Sequence, residues 1–382
     1  SDLEKMSYDY GLKVAKAIEN EWFYSDRGSN RARTNQTNFH KLRLYARGEQ
    51  PIQKYKDELS INGDLSYLNL DWKPVPIIPK FVDIVVNGIA DRTYDVRAYS
   101  QDPFGVSKRT EYMDSLLNDM RTKKISEFAE QAFGMSLLNN DKEELPDSKE
   151  ELDLHMSLTY KQAVEIAEEQ ALNVLLEGND YELTKKRFYY DLAVLGIGAV
   201  KTNFNTSEGV TIDYVDPADL VYSYTESPYF DDIYYVGEVK MIPINELVKQ
   251  FPKLSQEDLK DIVKNKNHHK TNYHNTNHNL NEEDNNKVQV LYFNYKTYMN
   301  EVYKVKETGS GADKILPKDD SFNPPENKEG GFGKLQRSIE CLYDGAMIMG
   351  TKKLLKWEMA KNMMRPKSDF TKVKMNYAIV AP

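Results

Sequence analysis

The fold of this chain is decided by residues 180–221, which read DYELTKKRFYYDLAVLGIGAVKTNFNTSEGVTIDYVDPADLV. The first part carries apolar residues at helical spacing and ends at Gly196 and Gly198, because glycine tolerates the backbone turn that follows a helix. Two runs, 200–204 and 210–214, then alternate apolar and polar residues around a Thr-Ser-Glu-Gly turn. The pattern predicts a helix followed by a β-hairpin.

The segment after the hairpin is more distinctive. Asp216-Pro217 predicts a turn, since aspartate bonds to nearby backbone and proline fixes φ. Extended chain resumes at Leu220, a tyrosine-rich strand follows over 233–241, and a short helix over 243–251 ends before Pro252. The predicted order is therefore helix, glycine stop, hairpin, Val-Asp-Pro turn, strand and short helix.

This order of elements resembles the wing domain of the portal proteins of tailed bacteriophages, and it is most similar to the portal proteins of crAss-like phages. The resemblance extends to a Tyr-Ala-Arg-Gly element, an Asn-Leu-Asp-Trp element and a helix that starts at a proline. The positions that match as structural motif residues are Gly48, Asn69, Gly88, Gly196, Gly198, Asp216 and Pro217. The resemblance implies an α+β fold, a portal-like wing domain of helices packed on antiparallel β-hairpins.

The resemblance also implies a role. It is that of a structural virion protein at the capsid portal vertex, assembled in the host cytoplasm as a subunit of a dodecameric ring. Double-stranded DNA passes through such a ring during packaging and ejection. The implied partners are the major capsid protein, terminase and the neck or head–tail connector proteins, with no membrane, catalytic residue, metal or cofactor. Stem, clip and crown segments are expected beyond the given chain, with Ile379 and Val380 in a structured junction.

The bulk composition narrows the function classes. The net charge is −9 and the sequence pI is about 5.4, which argues against a protein whose main task is to grip nucleic acid phosphates. No apolar run approaches the ~20 residues of a membrane helix. The single cysteine, Cys341, excludes an internal disulfide framework and is expected to be inert core in a strand. The glycine-rich run 330–335 lacks the spacing and the hydroxyl of a phosphate-binding loop.

Charge is distributed unevenly along the sequence. Residues 13–56 hold ten Lys and Arg against four Asp and Glu, and residues 141–182 hold thirteen Asp and Glu against three Lys. The basic region predicts either a solvated surface or contact with nucleic acid or an acidic partner. The candidate contact residues are Arg27, Arg31, Arg33, Arg43 and Arg47. In a ring, the two regions are candidates for complementary faces of neighbouring subunits.

The rest of the chain divides into three parts. Residues 1–140 are an N-terminal helical and mixed part, residues 141–260 contain the central unit, and residues 261–382 begin with an Asn/His-rich loop and continue as a β-rich part. Helices are expected over 3–22, 79–89 and 111–135, and a strand over 94–96. In the last part we expect a strand over 288–298 returned by 302–305, a loop over 308–333, and a hairpin at Asp344-Gly345. The helix over 79–89 is expected to bury Phe81, Val82, Val85, Val86 and Ile89.

Two other functions fit parts of the sequence. A metal-dependent nucleic-acid-processing enzyme would use Asp231 and Asp232 as metal ligands, together with histidines of the Asn-rich segment 265–286. Those histidines are His268, His269, His274 and His278. Against this, the histidines have no rigid spacing or apolar shell, so a flexible loop is favoured, and the aspartates lie in a Pro/Tyr-rich turn. A different connector of the head–tail junction is the third interpretation.

Overall fold

A computed structural model of the chain describes residues 2–23, 31–49, 52–60, 71, 75–92, 94–100, 102–134, 145–205, 209–265, 287–307, 313–323 and 332–381. The fold is mixed α and β with antiparallel sheets, as the sequence predicts. Contacts within the chain group it into two compact units. Unit 1 comprises Ser1–Asp91 and Glu182–Pro382, and unit 2 comprises Arg92–Tyr181. The predicted division into three consecutive parts, 1–140, 141–260 and 261–382, is not tested by these two units and stays a prediction.

The described residues form helices and strands with the following bounds. The helices are α1 Asp2–Lys5, α2 Tyr8–Phe23, α3 Arg31–Ala46, α4 Ile52–Leu59, α5 Ile78–Ala90, α6 Pro103–Phe133, α7 Lys149–Leu158, α8 Ala163–Gly178, α9 Tyr181–Leu195, α10 Ile244–Gln250 and α11 Gln256–Asn265. The strands are β1 Gly198–Asn205, β2 Gly209–Val215, β3 Leu220–Tyr222, β4 Tyr235–Pro243, β5 Lys287–Glu307, β6 Asp313–Lys318, β7 Phe332–Ile348, β8 Leu354–Met359 and β9 Tyr377–Val380. None of these helices combines the length and apolar character needed to cross a membrane.

Unit 1 is built on two antiparallel sheets. The larger has the order β3-β4-β5-β7-β8, with β6 paired to β5, and the smaller has the order β2-β1-β9. Helix α2 packs on the larger sheet through Ala15, Ile18 and Trp22. Helices α10 and α11 bury Leu247 and Ile262 against other residues of that sheet. Each large side chain buried in this way contributes about 1.5–3 kcal/mol, so packing on the sheet is the main stabilising feature.

The predicted order of elements over residues 180–251 is confirmed. Helix α9 ends at Leu195, and Gly196 adopts φ 73°, which favours glycine. β1 and β2 form the predicted hairpin, with Ala199 opposite Val215 and Asn205 opposite Gly209. A single 3₁₀ turn at Pro217–Asp219 leads into β3, and β4 is followed directly by α10. β9 pairs with β1, so the residues near Ile379 lie in a sheet.

Two predicted strand reversals are wrong. β5 does not turn back at Val302, because residues 299–301 stay paired with residues 337–339 of β7. Asp344-Gly345 lies inside β7, with Gly345 opposite Phe293. A Cβ atom on Gly345 would lie 2.2 Å from Cζ of Phe293. The glycine therefore makes room for an aromatic ring, and the chain reverses later, at Gly350, where φ is 77°.

The space beside Gly345 gives a test of this packing. We expect Gly345→Val to lower the free energy of unfolding by about 1–3 kcal/mol, because the added carbons overlap the Phe293 ring. Gly333→Val in the same strand is the matched control, since a Cβ there lies 3.7 Å from its nearest neighbour, Cβ of Val305. Urea unfolding of both variants measures the difference. Equal losses in the two variants would contradict the proposed role of Gly345.

Helix α5 forms as predicted, but its packing differs from the prediction. Of the expected core positions only Val86 is buried, whereas Phe81, Val85 and Ile89 are exposed and Val82 is half-buried. Apolar periodicity indicates which face of a helix is covered in the functional assembly, and it does not indicate that the cover comes from the same chain. The exposed face of α5 is therefore a candidate contact surface.

Two local predictions also need correction, and one helix was not predicted. Residues 94–96 do not form a strand, and just after them the backbone N–H groups of Ala98 and Ser100 donate to Glu169 and Glu165 of α8, at 3.0 and 2.8 Å, rather than to a neighbouring strand. Residues 313–318 of the predicted loop form β6. Sequence reasoning also missed α7, which begins where the Ser148 hydroxyl accepts the Glu151 backbone N–H at 3.1 Å.

Unit 2 has a small core of its own. Helix α6 begins earlier than predicted, at Pro103, and contributes Leu116 to an apolar cluster. Leu152 and Met156 of α7 complete that cluster with Leu145. Most residues of α8 are exposed, and Glu165 is its only buried one. The apolar core of unit 2 therefore leaves much of the surface of its helices uncovered.

Candidate functional site

The structure places the predicted contact arginines unequally. Arg27 lies outside the described residues, as do Asn69 and the four histidines of segment 265–286. Arg31 and Arg33 lie in the first turn of α3. Arg43 and Arg47 are described in full, at the end of α3, and both line a surface cleft of unit 1.

This cleft has a volume of about 590 Å³ and is formed by α3, α5, α9 and β2. Its lining combines four cations, three carboxylates and two tyrosines. The lining residues are Arg43, Arg47, Asp83, Val86, Asn87, Leu183, Lys186, Arg187, Tyr190, Asp191, Tyr214 and Asp216. We refer to it below as the basic cleft.

An ion cluster forms the floor of the basic cleft. Arg43 donates two parallel hydrogen bonds to Asp216, both 2.8 Å, and a third of 3.0 Å to Asp191. Asp216 also accepts the backbone N–H of Ala218 at 2.9 Å, which fixes the turn at Pro217. Arg43 of α3 therefore joins α9, through Asp191, to the end of β2, through the aspartate of the Val-Asp-Pro motif.

Burial and hydrogen bonding set the protonation of this cluster. Burial raises the pKa of Asp191, and a hydrogen bond from the Tyr214 hydroxyl and the charge of Arg43 partly offset that effect. Burial and the hydrogen bond to Asp191 raise the pKa of Tyr214. Burial alone would lower the pKa of Arg43, but Asp216 and Asp191 outweigh it and raise that pKa. Arg43 is thus a fixed cation whose charge is already balanced by two carboxylates.

The remaining cations of the basic cleft are available to a partner. Arg47, Lys186 and Arg187 are exposed, and none of them forms an ion pair with any residue that the structure describes. The guanidinium of Arg187 lies over the Tyr214 ring, 5.7 Å from its centroid. One exposed carboxylate, Asp83, shares the lining, so the unbalanced charge of the cleft is positive.

Sequence reasoning identified Arg47 but missed Lys186 and Arg187. The two lie on α9, about 140 positions further along the chain, and only the fold brings them next to α3. The available signal was the run Lys185-Lys186-Arg187 on one predicted helix. The predicted contact of Arg43 and Arg47 with nucleic acid or an acidic partner stays a prediction.

The glycines singled out by the resemblance occupy different settings. Gly48 has φ 78° and follows α3, and a Cβ atom there would lie 2.7 Å from Cβ of Pro76. A Cβ atom on Gly198 would lie 2.7 Å from Cε2 of Phe188, so Gly198 is packed against that ring. Gly88 has no neighbour within 4 Å and lies on the exposed side of α5. The first two positions are constrained within the chain, whereas the third is open.

Asp219 is a half-buried carboxylate beside this cluster. Burial and the negative charge of Asp216 raise its pKa to about 7, although Arg43 and Lys240 oppose the shift and Glu238 adds to it. The folded-state pKa thus lies above the unfolded value of about 3.9, so the native state binds this proton more tightly. The contribution of Asp219 to stability therefore falls as the pH rises from about 4 to about 7.

We expect Asp219→Asn to stabilise the protein more at pH 8 than at pH 5, by about 2–3 kcal/mol, because the amide never acquires the negative charge that this site disfavours. Thermal or urea unfolding at the two pH values measures the difference. Asp213→Asn, on the exposed side of β2, is the control and should change stability by less than about 0.5 kcal/mol at both. A gain for Asp219→Asn that does not depend on pH would contradict the titration of this carboxylate.

The residues proposed for metal chemistry have other roles in the structure. Asp231 accepts a hydrogen bond from Ser227, and Asp232 accepts bonds from Thr225 and the Glu226 backbone, which hold an exposed turn. The bond from Thr225 is the main reason that the pKa of Asp232 is lowered. Within the described ranges, three or more His, Cys, Asp or Glu side chains do not converge at a potential metal site.

Cys341 is buried in β7, as expected for a residue of the core. Burial raises the pKa of its thiol to about 11, so the thiolate form is disfavoured at neutral pH. Its placement agrees with an inert side chain.

No family model matches this chain, and no curated protein matches it either. The portal resemblance therefore depends on the residues and elements described above.

Proposed function

We propose that this chain is the wing part of a portal subunit, a structural virion protein that forms a ring around a DNA channel. The observation that supports this most is the amount of apolar helical surface that the chain leaves uncovered. In α5, Phe81 and Ile84 are 61% and 59% exposed, and in α8 Val164 and Val174 are 58% and 69% exposed. Surfaces of this kind mark contact sites with other proteins.

The order of elements gives the second support. Helix α9, the stop at Gly196, the β1–β2 hairpin, the Asp216-Pro217 turn, β3, β4 and α10 follow one another as the resemblance requires. Terminase, the capsid protein and the connector proteins are the proposed partners on the same basis, and a virion vertex is the proposed location.

Negative-stain imaging of the purified native protein tests the proposal. We expect closed rings with a central hole, because a head-to-tail contact between identical subunits closes when the rotation per subunit divides a full turn. A nuclease assay with and without magnesium should be negative. Single globular particles together with magnesium-dependent cleavage of DNA would support the enzyme interpretation instead.

We expect the protein to bind double-stranded DNA weakly and without sequence preference. A passage for moving DNA has to avoid strong phosphate neutralisation, since six to ten contacts change affinity by ~10³–10⁵-fold over a modest salt range. Replacing Arg27, Arg31, Arg33 and Arg47 with alanine should remove the residual binding. Arg43 is left unchanged in this variant, because it holds the ion cluster together.

Fluorescence anisotropy with labelled duplexes at low and physiological salt measures this binding. The control replaces four other exposed cations with alanine, Lys249, Lys253, Lys260 and Lys361. It should retain the binding of the unmodified protein. Tight sequence-selective binding, or ATP hydrolysis that persists through purification, would contradict a passive channel.

A further inference from the structure

The basic cleft of unit 1 carries an excess of positive charge. Arg47, Lys186 and Arg187 line it as exposed cations, and the exposed carboxylate Asp83 offsets only one of them. Its volume of about 590 Å³ lies within the ~300–1,000 Å³ of typical ligand pockets. The cleft is therefore large enough for the tip of a protein turn, and its charge attracts carboxylates.

Unit 1 also displays a tyrosine-rich turn between β3 and β4, residues 223–234, which we call the tyrosine turn. Its three tyrosines, Tyr224, Tyr229 and Tyr234, are each more than half exposed. Tyrosine is enriched at protein contacts, because its ring covers a large area and its hydroxyl can form a hydrogen bond. Three exposed rings in one short turn therefore indicate a contact surface.

The tyrosine turn carries the charge opposite to that of the basic cleft. Glu226 and Asp231 are both exposed in it. Their carboxylates accept hydrogen bonds from hydroxyls of the turn itself, that of Tyr224 for Glu226 and that of Ser227 for Asp231. These donors are neutral and do not cancel the two negative charges.

The tyrosine turn is held in one shape by contacts with the rest of unit 1. Phe230 and Ile233 are buried, and the backbone N–H of Ala381 donates to the carbonyl of Pro228 at 3.0 Å. Phe230 adopts φ 56°, a left-handed conformation that is costly for a large side chain. Its ring is buried, whereas that of Tyr229 beside it is 72% exposed. A turn fixed in advance loses little conformational entropy when it binds.

We propose that the tyrosine turn of one subunit inserts into the basic cleft of a second copy of this chain. The two exposed carboxylates of the turn pair with Lys186 and Arg187, and the ring of Tyr229 becomes covered in the cleft. The turn does not line the cleft of its own subunit, so its place in the cleft has to be taken from another copy. Each subunit contributes two different surfaces, as a head-to-tail ring requires. This inference rests on the proposed ring.

Duplex DNA is the less favoured occupant of the basic cleft. Its three exposed cations can neutralise at most three phosphates, fewer than the six to ten contacts of a strong DNA-binding surface. DNA in the cleft would also leave the ring of Tyr229 in water. The tyrosine turn of a second copy accounts for both surfaces at once.

Mixing two charge-reversed variants of the full chain tests the contact. The cleft variant is Lys186→Glu with Arg187→Glu, and the turn variant is Glu226→Lys with Asp231→Lys. We expect neither to assemble alone, because each replaces an attraction across the contact with a repulsion. An equimolar mixture should assemble, since an intact turn then meets an intact cleft and a reversed turn meets a reversed cleft. Mass measurement by light scattering reads out each sample.

The control for charge reversal is Lys249→Glu with Lys260→Glu, at exposed positions outside both surfaces. It should assemble like the unmodified protein. Circular dichroism of each variant shows whether it has the fold of the unmodified protein.

Tyr229→Ala weakens the contact without reversing a charge. The protein concentration at which half of the chains are assembled should rise by about tenfold or more, because a tyrosine buried at a contact is a large part of its affinity. Tyr298→Ala is the matched control, since Tyr298 is 60% exposed on β5, outside both surfaces. It should leave that concentration unchanged.

Four outcomes would overturn this contact. If the unmodified protein assembles and the cleft variant, the turn variant and Tyr229→Ala assemble equally well, the contact is wrong and the proposed function stands. A mixture of two folded variants that stays monomeric has the same meaning. A cleft variant that keeps its assembly but loses DNA binding would assign the basic cleft to DNA. An unmodified protein that remains a monomer would overturn the proposed function, and with it this contact.

Discussion

Replacing Arg43 with alanine should lower the free energy of unfolding by about 3–5 kcal/mol, because it leaves two carboxylates close together without a counter-charge. The side chain of Asp191 is 3% exposed, so water cannot compensate for the loss. Asp216 would also lose the fork of two hydrogen bonds that fixes the turn before β3. A loss of this size is a large part of the 5–15 kcal/mol typical of a folded domain.

Urea unfolding followed by circular dichroism measures this effect. Arg47→Ala is the matched control: it lies one helical turn further on, is exposed, and should change stability by less than about 0.5 kcal/mol. If Arg43→Ala does not fold, Arg43→Lys still tests the account, since lysine keeps the charge but loses the planar fork and should give an intermediate loss. Equal stability of Arg43→Ala and Arg47→Ala would contradict a structural role of the ion cluster.

Replacing Glu238 with glutamine should have a comparable effect, about 3–5 kcal/mol, at the contact between the two sheets of unit 1. Glu238 of β4 accepts a hydrogen bond of 2.8 Å from Lys201 of β1, and its side chain is only 2% exposed. The ammonium nitrogen of Lys201 also lies over two aromatic rings. It is 4.8 Å from the centroid of the Tyr377 ring and 5.6 Å from that of the Tyr292 ring. Glutamine would leave this cation, whose side chain is only 13% exposed, without its anion.

Two additional variants separate charge from packing at this site. Lys240 is the second ion-pair partner of Glu238, at 3.2 Å, and its own side chain is 44% exposed. Lys240→Ala should therefore lower the free energy of unfolding by less than about 1 kcal/mol. The double variant Lys201→Met with Glu238→Gln should be more stable than Glu238→Gln alone, because it removes the unpaired charge. A double variant that is less stable than the single one would show that the ion pair is not the source of the loss.

The sequence predicts the elements whose signals are local. The helix before Gly196, the hairpin after it and the turn at Asp216-Pro217 form as expected, because each depends on residues that are neighbours in the chain. The hairpin predicted at Asp344-Gly345 does not form, because a contact with a residue distant in the chain decides the structure there. That dipeptide favours a two-residue hairpin in isolation, but the Phe293 ring on the adjacent strand needs the space beside Gly345.

The candidate site was only partly predictable. The Arg43–Asp216 pair joins residues separated by 173 positions, so no local pattern indicates it. Arg43 was identified as a surface cation from local charge density, and the fold instead makes it the centre of an ion cluster. Lys186 and Arg187 reach the same cleft from α9 for the same non-local reason. Charge density along a sequence indicates where cations occur, and only tertiary structure decides which of them are already paired.

The solution mass of the purified native protein tests the central proposal most directly. Sedimentation equilibrium gives this mass at several protein concentrations. For a closed ring we expect one defined multiple of the subunit mass, twelve for the dodecamer, that does not grow as concentration increases. The 382 residues of the sequence contribute 44.2 kDa to each subunit. A mass equal to a single subunit at all concentrations would contradict the account.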